Sequence, residues 1–205
     1  MRKIITVSRE FGSGGRELGK YLAESLGVAY YDREIVTAIV ERSGFSREYV
    51  EGISEKGVSR RYPVTYARSF SYMPCFDKMQ LGILSEQSKL LQEIAEKDDC
   101  VIVGRCADIV LKDYSPLNLF VYADMESKIK RCMDRETDGE RLEKKEVHKR
   151  ILSIDKASSL YRGFFASGKW GDKSSYHLCI NTTGLEIKSL VPSVKAFADC
   201  FFAAR

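Results

Sequence analysis

The sequence is poor in the features on which several functional classes depend. It contains two histidines, His148 and His177, and six cysteines without a CxxC pair or zinc-type spacing. No apolar run approaches the roughly 20 residues of a membrane-spanning helix, and no signal peptide precedes the first predicted strand. These absences argue against a zinc site, a disulfide framework and a membrane partner. They predict a cytoplasmic protein with free thiols and no catalytic histidine.

The charge pattern lacks a nucleic-acid signature. The net charge is +4 over 205 residues, a length that suits one domain with a sizeable core. The basic tract from Lys144 to Arg150 is interleaved with Glu140, Glu143 and Glu146, which favours a solvated helix face. A mild positive charge fits an enzyme that handles anionic small molecules, and nucleic acid is not an expected partner. The oligomeric state cannot be inferred from the sequence.

One segment near the N-terminus combines three features of a phosphate-binding site. A β-branched run at 4–7 leads into a glycine-rich stretch, and an amphipathic helical pattern begins at Gly15. Free backbone N–H groups, the helix dipole and absent Cβ atoms together favour a bound anion. The alternative is a strand-to-helix turn without a ligand. The predicted phosphate-binding residues are Gly12, Ser13, Gly14, Gly15, Arg16 and Glu17.

This glycine loop (residues 10–15) departs from the usual P-loop pattern. The position of the P-loop lysine is taken by Gly15 and that of the first glycine by Arg9, and Glu17 rather than a Ser/Thr stands two residues after the lysine position. We expect Arg16 to supply the missing cation, because a guanidinium can pair with two phosphate oxygens. Glu17 is predicted to hold Mg²⁺ directly or through water.

Strand-like and helical segments alternate along the chain. Most of the strand-like runs are continuously apolar, which indicates a parallel sheet buried on both faces and an α/β three-layer fold. Two regions, 57–74 and 136–172, break the alternation and are predicted to fold over a ligand, with ordinary surface excursions as the alternative. The predicted strands are 4–7, 29–31, 100–104, 117–122 and 176–181, and the predicted helices are 15–26, 33–41, 76–97, 125–135 and 185–202.

Charged residues follow the predicted strands. Asp32 suits a helix N-cap or a ligand contact, and Arg105 follows a buried strand, where an arginine is costly without an anion. We therefore expect Arg105 to contact phosphate. Arg131 and Arg135 share a helix face and, with Lys128, form a cationic stripe that could stabilise a transferring phosphoryl group. Pairing with neighbouring acidic residues is the alternative.

In combination, four parts of the chain resemble the cytidylate kinase-like family, a branch of the P-loop nucleoside-monophosphate kinases. They are residues 7–17, residues 30–35, residues 101–108, and the set 155–156, 168–172 and 176–182. The resemblance covers nearly the whole chain. It implies a single domain over 1–205 with the P-loop NTPase three-layer α/β/α fold and a five-stranded parallel sheet. It also implies a nucleoside-monophosphate-binding lobe inserted at about 44–98 and a helical lid at about 125–172.

The resemblance implies ATP-dependent phosphoryl transfer to CMP or dCMP, with Mg²⁺. By position, residues 12–17 would hold the ATP phosphates, Asp32 and Arg105 would lie near the acceptor, and Arg131 and Arg135 would be lid arginines. Asp155 matches an aspartate that follows the lid and is expected near the substrate.

The chain departs from the family at one point of its own. The basic residue that usually follows Asp155-Lys156 is missing, and Arg162 is the candidate substitute. A nucleotide-binding sensor without transfer activity is one alternative, because it would lack the P-loop lysine, the hydroxyl and the lid arginine. A kinase for a non-nucleotide metabolite is the other, because the aromatic, arginine-rich segment 57–76 could hold many anions. Tyr62, Tyr66 and Tyr72 are candidates for stacking on a base.

Overall fold

A five-stranded parallel sheet forms the centre of the molecule. The structure, a computed structural model, describes residues 2–44, 46, 50, 78–135, 143–166 and 168–205. The strands are β1 (Ile4–Arg9), β2 (Ala29–Tyr31), β3 (Cys100–Val103), β4 (Leu117–Tyr122) and β5 (Leu178–Asn181). Their order is β2-β3-β1-β4-β5, and each of these pairings is parallel. The central strand, β1, is therefore the one that leads into the glycine loop.

Helices connect the strands and cover both faces of the sheet. The α-helices are α1 (Gly15–Leu26), α2 (Arg33–Ser43), α3 (Lys78–Lys97), α4 (Ala107–Val110), α5 (Met125–Asp134), α6 (Lys144–Arg162) and α7 (Ile187–Ala203). Short 3₁₀ helices span Lys112–Tyr114 and Lys173–Ser175. None of the helices in these described ranges is long and apolar enough to cross a membrane.

Local sequence signals set several helix ends. The Asp124 carboxylate accepts a hydrogen bond from the Ser127 N–H at 2.7 Å, which satisfies a free donor at the start of α5. Glu143 and Glu146 form a reciprocal capping box at the start of α6. Gly27 ends α1 in the left-handed conformation with φ of 68°. These signals fix where the helices beside the sheet begin or end.

The core lies in two layers, one on each face of the sheet. Neighbouring strand residues point to opposite faces, so Ile4 and Ile102 pack with α2 and α3, whereas Val7 and Val103 pack with α1 and α7. The buried side chains Leu91 and Leu18 fill the two layers from the helices. The predicted three-layer α/β/α fold with a five-stranded parallel sheet is confirmed.

The largest difference from the sequence-based expectation is α6. The sequence indicates a solvated helix face at 144–150, and the structure continues this helix to Arg162. Its buried side includes Val147, Ile151, Ala157 and Tyr161, which is a thin stripe among charged residues. Val147 and Ile151 pack against Ile129 of α5 and form a third, small apolar cluster. This pair of helices contributes most of the described part of the predicted lid.

The predicted insertions lie partly outside the described residues. Of the predicted 44–98 lobe, α3 is described and packs on α2, and its buried Leu90, Leu91 and Ala95 belong to the main core. The aromatic segment 57–74 falls outside the described residues, as do positions 136–142 of the lid. The boundaries of the lobe and of the lid therefore stay predictions.

Candidate functional site

The glycine loop turns tightly between β1 and α1. Gly14 precedes α1 with φ of 83°, and a Cβ atom there would overlap Cδ1 of Ile187 on α7. The Ser13 hydroxyl donates to the Glu10 carbonyl at 2.8 Å, and the Thr182 hydroxyl donates to the Ser13 carbonyl at 2.7 Å. These bonds fix the loop from inside and from the end of β5. The helix therefore begins with its N-terminal amides at the carboxyl edge of the sheet.

A buried lysine anchors the loop from behind. Lys128 of α5 is 5% exposed, and its ammonium donates to Glu10 at 3.0 Å and to Asp155 at 2.9 Å. The second carboxylate oxygen of Asp155 accepts the Phe11 N–H at 2.7 Å. Burial alone would lower the pKa of Lys128, but its bonds to Asp155 and Glu10 outweigh burial and raise it. The cluster ties the loop to α5 and α6.

A left-handed backbone turn follows β3. Gly104, Arg105 and Cys106 have φ of 76°, 60° and 51°, and such values are costly for the two residues that carry a Cβ. The turn is stabilised by hydrogen bonds, since Gln87 donates to the Arg105 carbonyl at 3.0 Å and Tyr161 donates to Gln87 at 3.1 Å. Strained backbone of this kind is common where a side chain must be aimed at a ligand. Here it carries Arg105 at the edge that also holds the glycine loop.

A second buried ion pair lies beside this turn. The Arg162 guanidinium donates to the Asp108 carboxylate, and these residues are 5% and 6% exposed. The Arg162 guanidinium also lies 5.3 Å from the centre of the Tyr176 ring. Burial alone would lower the pKa of Arg162, but the charge of Asp108 raises it overall. Arg162, the candidate substitute for a lid arginine, is therefore already paired with Asp108 in the structure.

Arg16 and Asp32 form an ion pair across the glycine-loop edge. The Arg16 Nε lies 3.0 Å from the Asp32 carboxylate, which is 7% exposed. Asp32 occupies the N-cap position of α2, as the sequence predicts, but its side chain makes no capping hydrogen bond. The structure thus brings together Arg16, the predicted phosphate-binding cation, and Asp32, the predicted acceptor contact. Each side chain restricts the position of the other. Arg16 also lines the cavity described below.

The three residues of the cationic stripe predicted on α5 have partners in different parts of the structure. Lys128 is buried in the anchor, and Arg131 donates to Thr182 and to the Leu185 carbonyl, the latter at 3.1 Å. Arg135 reaches the site and pairs with Glu17. Arg131 is absent from the cavity wall formed by the described residues and fastens α5 to the segment after β5. A contact between Arg131 and a transferring group would require it to leave these partners.

These elements surround a cavity of about 470 Å³ at the carboxyl edge of β1 and β3. Its floor is the glycine loop and its wall is one face of α6, and Trp170 also lines it. Among the residues that the structure describes, six arginines line it, against one carboxylate, Glu10. The arginines are Arg9, Arg16, Arg105, Arg135, Arg150 and Arg162. A concave surface with this charge and a helix N-terminus suits a polyphosphate.

Two of these arginines, Arg9 and Arg150, extend the site beyond the sequence-based predictions. Arg150, Ile154, Ser158 and Tyr161 recur on one helical face of α6, and this spacing is a signal that the charged composition obscures. Arg9 carries no such signal because it is simply the last residue of β1. The Arg150 guanidinium lies 5.9 Å from the centre of the Phe11 ring. The wall of the cavity thus comes largely from a helix that the sequence did not clearly predict.

No ready-made metal centre is present in the part of the chain that the structure describes. Those residues contain no group of three or more His, Cys, Asp or Glu side chains that could hold an ion. A nucleotide-bound Mg²⁺ needs fewer protein ligands, because phosphate oxygens and water complete its coordination. Glu17, the predicted ligand, is paired with Arg135, whereas Glu10 lines the cavity and is bound to Lys128.

Comparisons with known proteins agree with this architecture. A family model described as the cytidylate kinase-like family matches residues 4–184. An uncharacterized protein from Eubacterium ventriosum is 25% identical, with a TM-score of 0.69 over 97% of this chain and 99% of that chain.

Two shikimate kinases share the fold at lower identity. The enzyme from Bacteroides thetaiotaomicron is 17% identical, with a TM-score of 0.56 over 96% of this chain and 98% of its own. The enzyme from Acinetobacter baumannii is 16% identical, with a TM-score of 0.51 over 96% of this chain and 93% of its own. A search of curated proteins found no significant match. Because the family model spans most of the sequence, the chain belongs to the cytidylate kinase-like family.

Proposed function

We propose that the protein is an ATP-dependent kinase that transfers a phosphoryl group to a small anionic acceptor, with CMP or dCMP as the first candidate. Family membership and the fold support phosphoryl transfer to a nucleotide or another small molecule. The observation that carries the proposal is the cavity in which six arginines face a helix N-terminus. Catalysis of this transfer consists mainly of positioning and charge neutralisation.

In this proposal the donor phosphates lie on the glycine loop. Amides of the segment from Gly12 to Glu17 and the guanidinium of Arg16 would hold them at the start of α1. Magnesium, when bound with ATP, neutralises charge on the phosphate oxygens. Glu17 is the proposed carboxylate for it, with its partner Arg135 adjacent. Arg135 would then contact the transferring group from the end of α5.

The acceptor would lie toward β3 and α6. Arg105 is the proposed ligand of the acceptor's anionic group, and the buried Arg162 is beside it on the cavity wall. Asp32 would act from behind Arg16, and Asp155 would act through the loop, since its carboxylate holds the Phe11 N–H. These two predicted substrate residues are therefore proposed to position other groups.

A coupled assay of ADP release over a panel of nucleoside monophosphates and carboxylate- or phosphate-bearing metabolites tests the proposal. We expect Mg²⁺-dependent turnover with one acceptor class, and a strong loss in Arg105→Ala. Lys20→Ala is the matched control, because Lys20 is exposed on α1 and does not line the cavity. Saturable ATP binding with no turnover on any acceptor would instead identify a nucleotide sensor and refute the kinase proposal.

A non-nucleotide metabolite is the second candidate acceptor. The described wall offers many guanidinium groups and few aromatic rings, which suits a carboxylate or phosphate more than a base. The same panel separates the two candidates, since turnover with a metabolite and none with CMP or dCMP would select the second.

A further inference from the structure

The side chain of Arg9 follows a path that two glycines leave open. Arg9 ends β1 beside Val121 of β4, and a Cβ at position 15 would lie 2.5 Å from the Arg9 Cβ and 3.0 Å from its Cγ. At its far end, a Cβ at position 104 would lie 2.9 Å from an Arg9 guanidinium nitrogen. A side chain at position 15 would therefore collide with the fixed base of the Arg9 side chain, and one at position 104 would push the flexible guanidinium end aside. The three residues are sterically matched.

This match links two departures from the P-loop pattern. The pattern has a glycine where this chain has Arg9 and a lysine where it has Gly15. Because a side chain at 15 would collide with Arg9, an arginine at 9 and a lysine at 15 exclude each other. A glycine at position 15 therefore goes with an arginine at position 9, and a lysine at 15 goes with a glycine at 9. Both arrangements keep one cation, attached to the helix in the P-loop pattern and to the strand in this chain.

Arg9 differs from the neighbouring arginines because they contact other side chains of the protein. Arg16, Arg135 and Arg162 each pair with a carboxylate, and Arg150 lies near the Phe11 ring. The Arg9 guanidinium makes no hydrogen bond or ion pair with any residue that the structure describes. Burial, with added repulsion from Arg16 and Arg105, lowers its pKa to about 10, so it stays charged at neutral pH. An anion in the cavity would offset both the cost of burying this charge and the repulsion from Arg16 and Arg105.

We propose that Arg9 binds the donor polyphosphate in place of the P-loop lysine, with Gly15 and Gly104 as the clearance that its side chain requires. This inference rests on the proposed function for the identity of the donor. It moves the principal phosphate-binding cation from Arg16, which the sequence predicts, to Arg9. Arg16 then serves mainly to hold Asp32 at the edge of the site.

The first test compares two matched charge-removing variants by titration calorimetry with ATP and with inorganic tripolyphosphate. Arg9→Met keeps the length of the side chain and removes its fork of donors. Loss of one or two charge-assisted hydrogen bonds should weaken binding of both probes by about 10- to 100-fold. Arg16→Met should lose less, and Arg9→Lys should retain most of the affinity. Equal affinity in Arg9→Met and the unsubstituted protein overturns the inference.

The second test exchanges the two positions. Gly15→Lys alone should weaken tripolyphosphate binding because the new side chain collides with Arg9. The double variant Arg9→Gly, Gly15→Lys restores the P-loop arrangement and should bind at least roughly tenfold more tightly than Arg9→Gly alone. A double variant that binds no better than Arg9→Gly overturns the link between the positions. Thermal unfolding of each variant checks that the fold persists, and Arg9→Gln replaces Arg9→Met in the first test if that variant unfolds.

The outcomes separate this inference from the proposed function. Tripolyphosphate binding that depends on Arg9, without phosphoryl transfer to any acceptor, supports the inference and refutes the kinase. Turnover that is unaffected by Arg9→Met supports the kinase and refutes the inference. Failure of the unsubstituted protein to bind either probe refutes both.

Discussion

Replacement of Lys128 by methionine would test how the glycine loop is held in place. The change leaves the carboxylates of Glu10 and Asp155 together without the ammonium that both contact. Removal of one partner from a buried ion pair costs about 3–5 kcal/mol. The side chains of Glu10 and Asp155 are 26% and 15% exposed, so water offsets part of the uncompensated charge. We therefore expect the free energy of unfolding to fall by about 3 kcal/mol, the lower end of that range.

Urea unfolding followed by circular dichroism measures this loss. With a denaturant slope of about 2 kcal/mol per molar, the midpoint should fall by about 1.5 M. Lys130→Met is the matched control, since Lys130 is exposed on the same helix and its removal should change stability by less than about 0.5 kcal/mol. Affinity for tripolyphosphate should fall in Lys128→Met and not in the control, because Asp155 positions the Phe11 N–H.

A triple variant separates two causes of the lost stability: the missing ion-pair attraction and the uncompensated charge of the two carboxylates. With Glu10→Gln and Asp155→Asn added to Lys128→Met, no uncompensated charge remains, and most of the lost stability should return. A Lys128→Met protein that unfolds within about 1 kcal/mol of the unsubstituted one would refute the reasoning. It would mean that the carboxylates are hydrated without their cation.

Three further outcomes are expected. Gly14→Ala should destabilise the fold by at least about 1–2 kcal/mol, because the φ of 83° and the contact with Ile187 both oppose a Cβ at this position. Gly82→Ala is the control and should not destabilise the fold, since no atom lies within 4 Å of a Cβ there. Equal midpoints of thermal unfolding for the two variants would contradict this prediction. Glu17→Gln should raise the Mg²⁺ concentration needed for half-maximal turnover severalfold, and an unchanged Mg²⁺ titration would remove Glu17 from the metal site. Because the pKa of Lys128 is raised in the fold, its contribution is complete below about pH 10.5 and is lost above it. The difference in unfolding free energy between the unsubstituted protein and Lys128→Met should therefore shrink above that pH, and a constant difference in urea titrations would contradict the assignment.

The sheet and the glycine loop were predictable because their signals are local. Apolar runs bounded by turns gave all five strands to within a few residues, and the parallel arrangement then places the ends of β1 and β3 at one edge. That geometry is why Gly12 and Arg105, far apart in the chain, could be expected in one site. In the structure both line the same cavity.

Ion-pair partners were not predictable in the same way. Lys128, Arg131 and Arg135 have helical spacing that puts them near one another, yet their partners come from different elements. The first meets carboxylates from the loop and α6, the second meets the segment after β5, and the third meets Glu17 of α1. Periodicity gives the direction of a side chain from its own helix and nothing about what packs there.

Composition hid the remaining wall of the cavity. The helix α6 carries a thin apolar stripe within a strongly charged sequence, so the charges dominate any periodic signal. Arg9 was missed for a different reason, because its path depends on Gly104, which is distant in the chain. Only the assembled fold shows that the missing side chain at one position makes room for another.

The steric coupling of positions 9 and 15 also constrains how such loops can evolve. A lineage with an arginine on the strand cannot acquire the lysine-type loop by a single substitution, because the new side chain would collide with the old one. The reverse route meets the same obstacle from the other side. The two loop types are therefore separated by a crowded or a cation-poor intermediate, which would help each to persist once established.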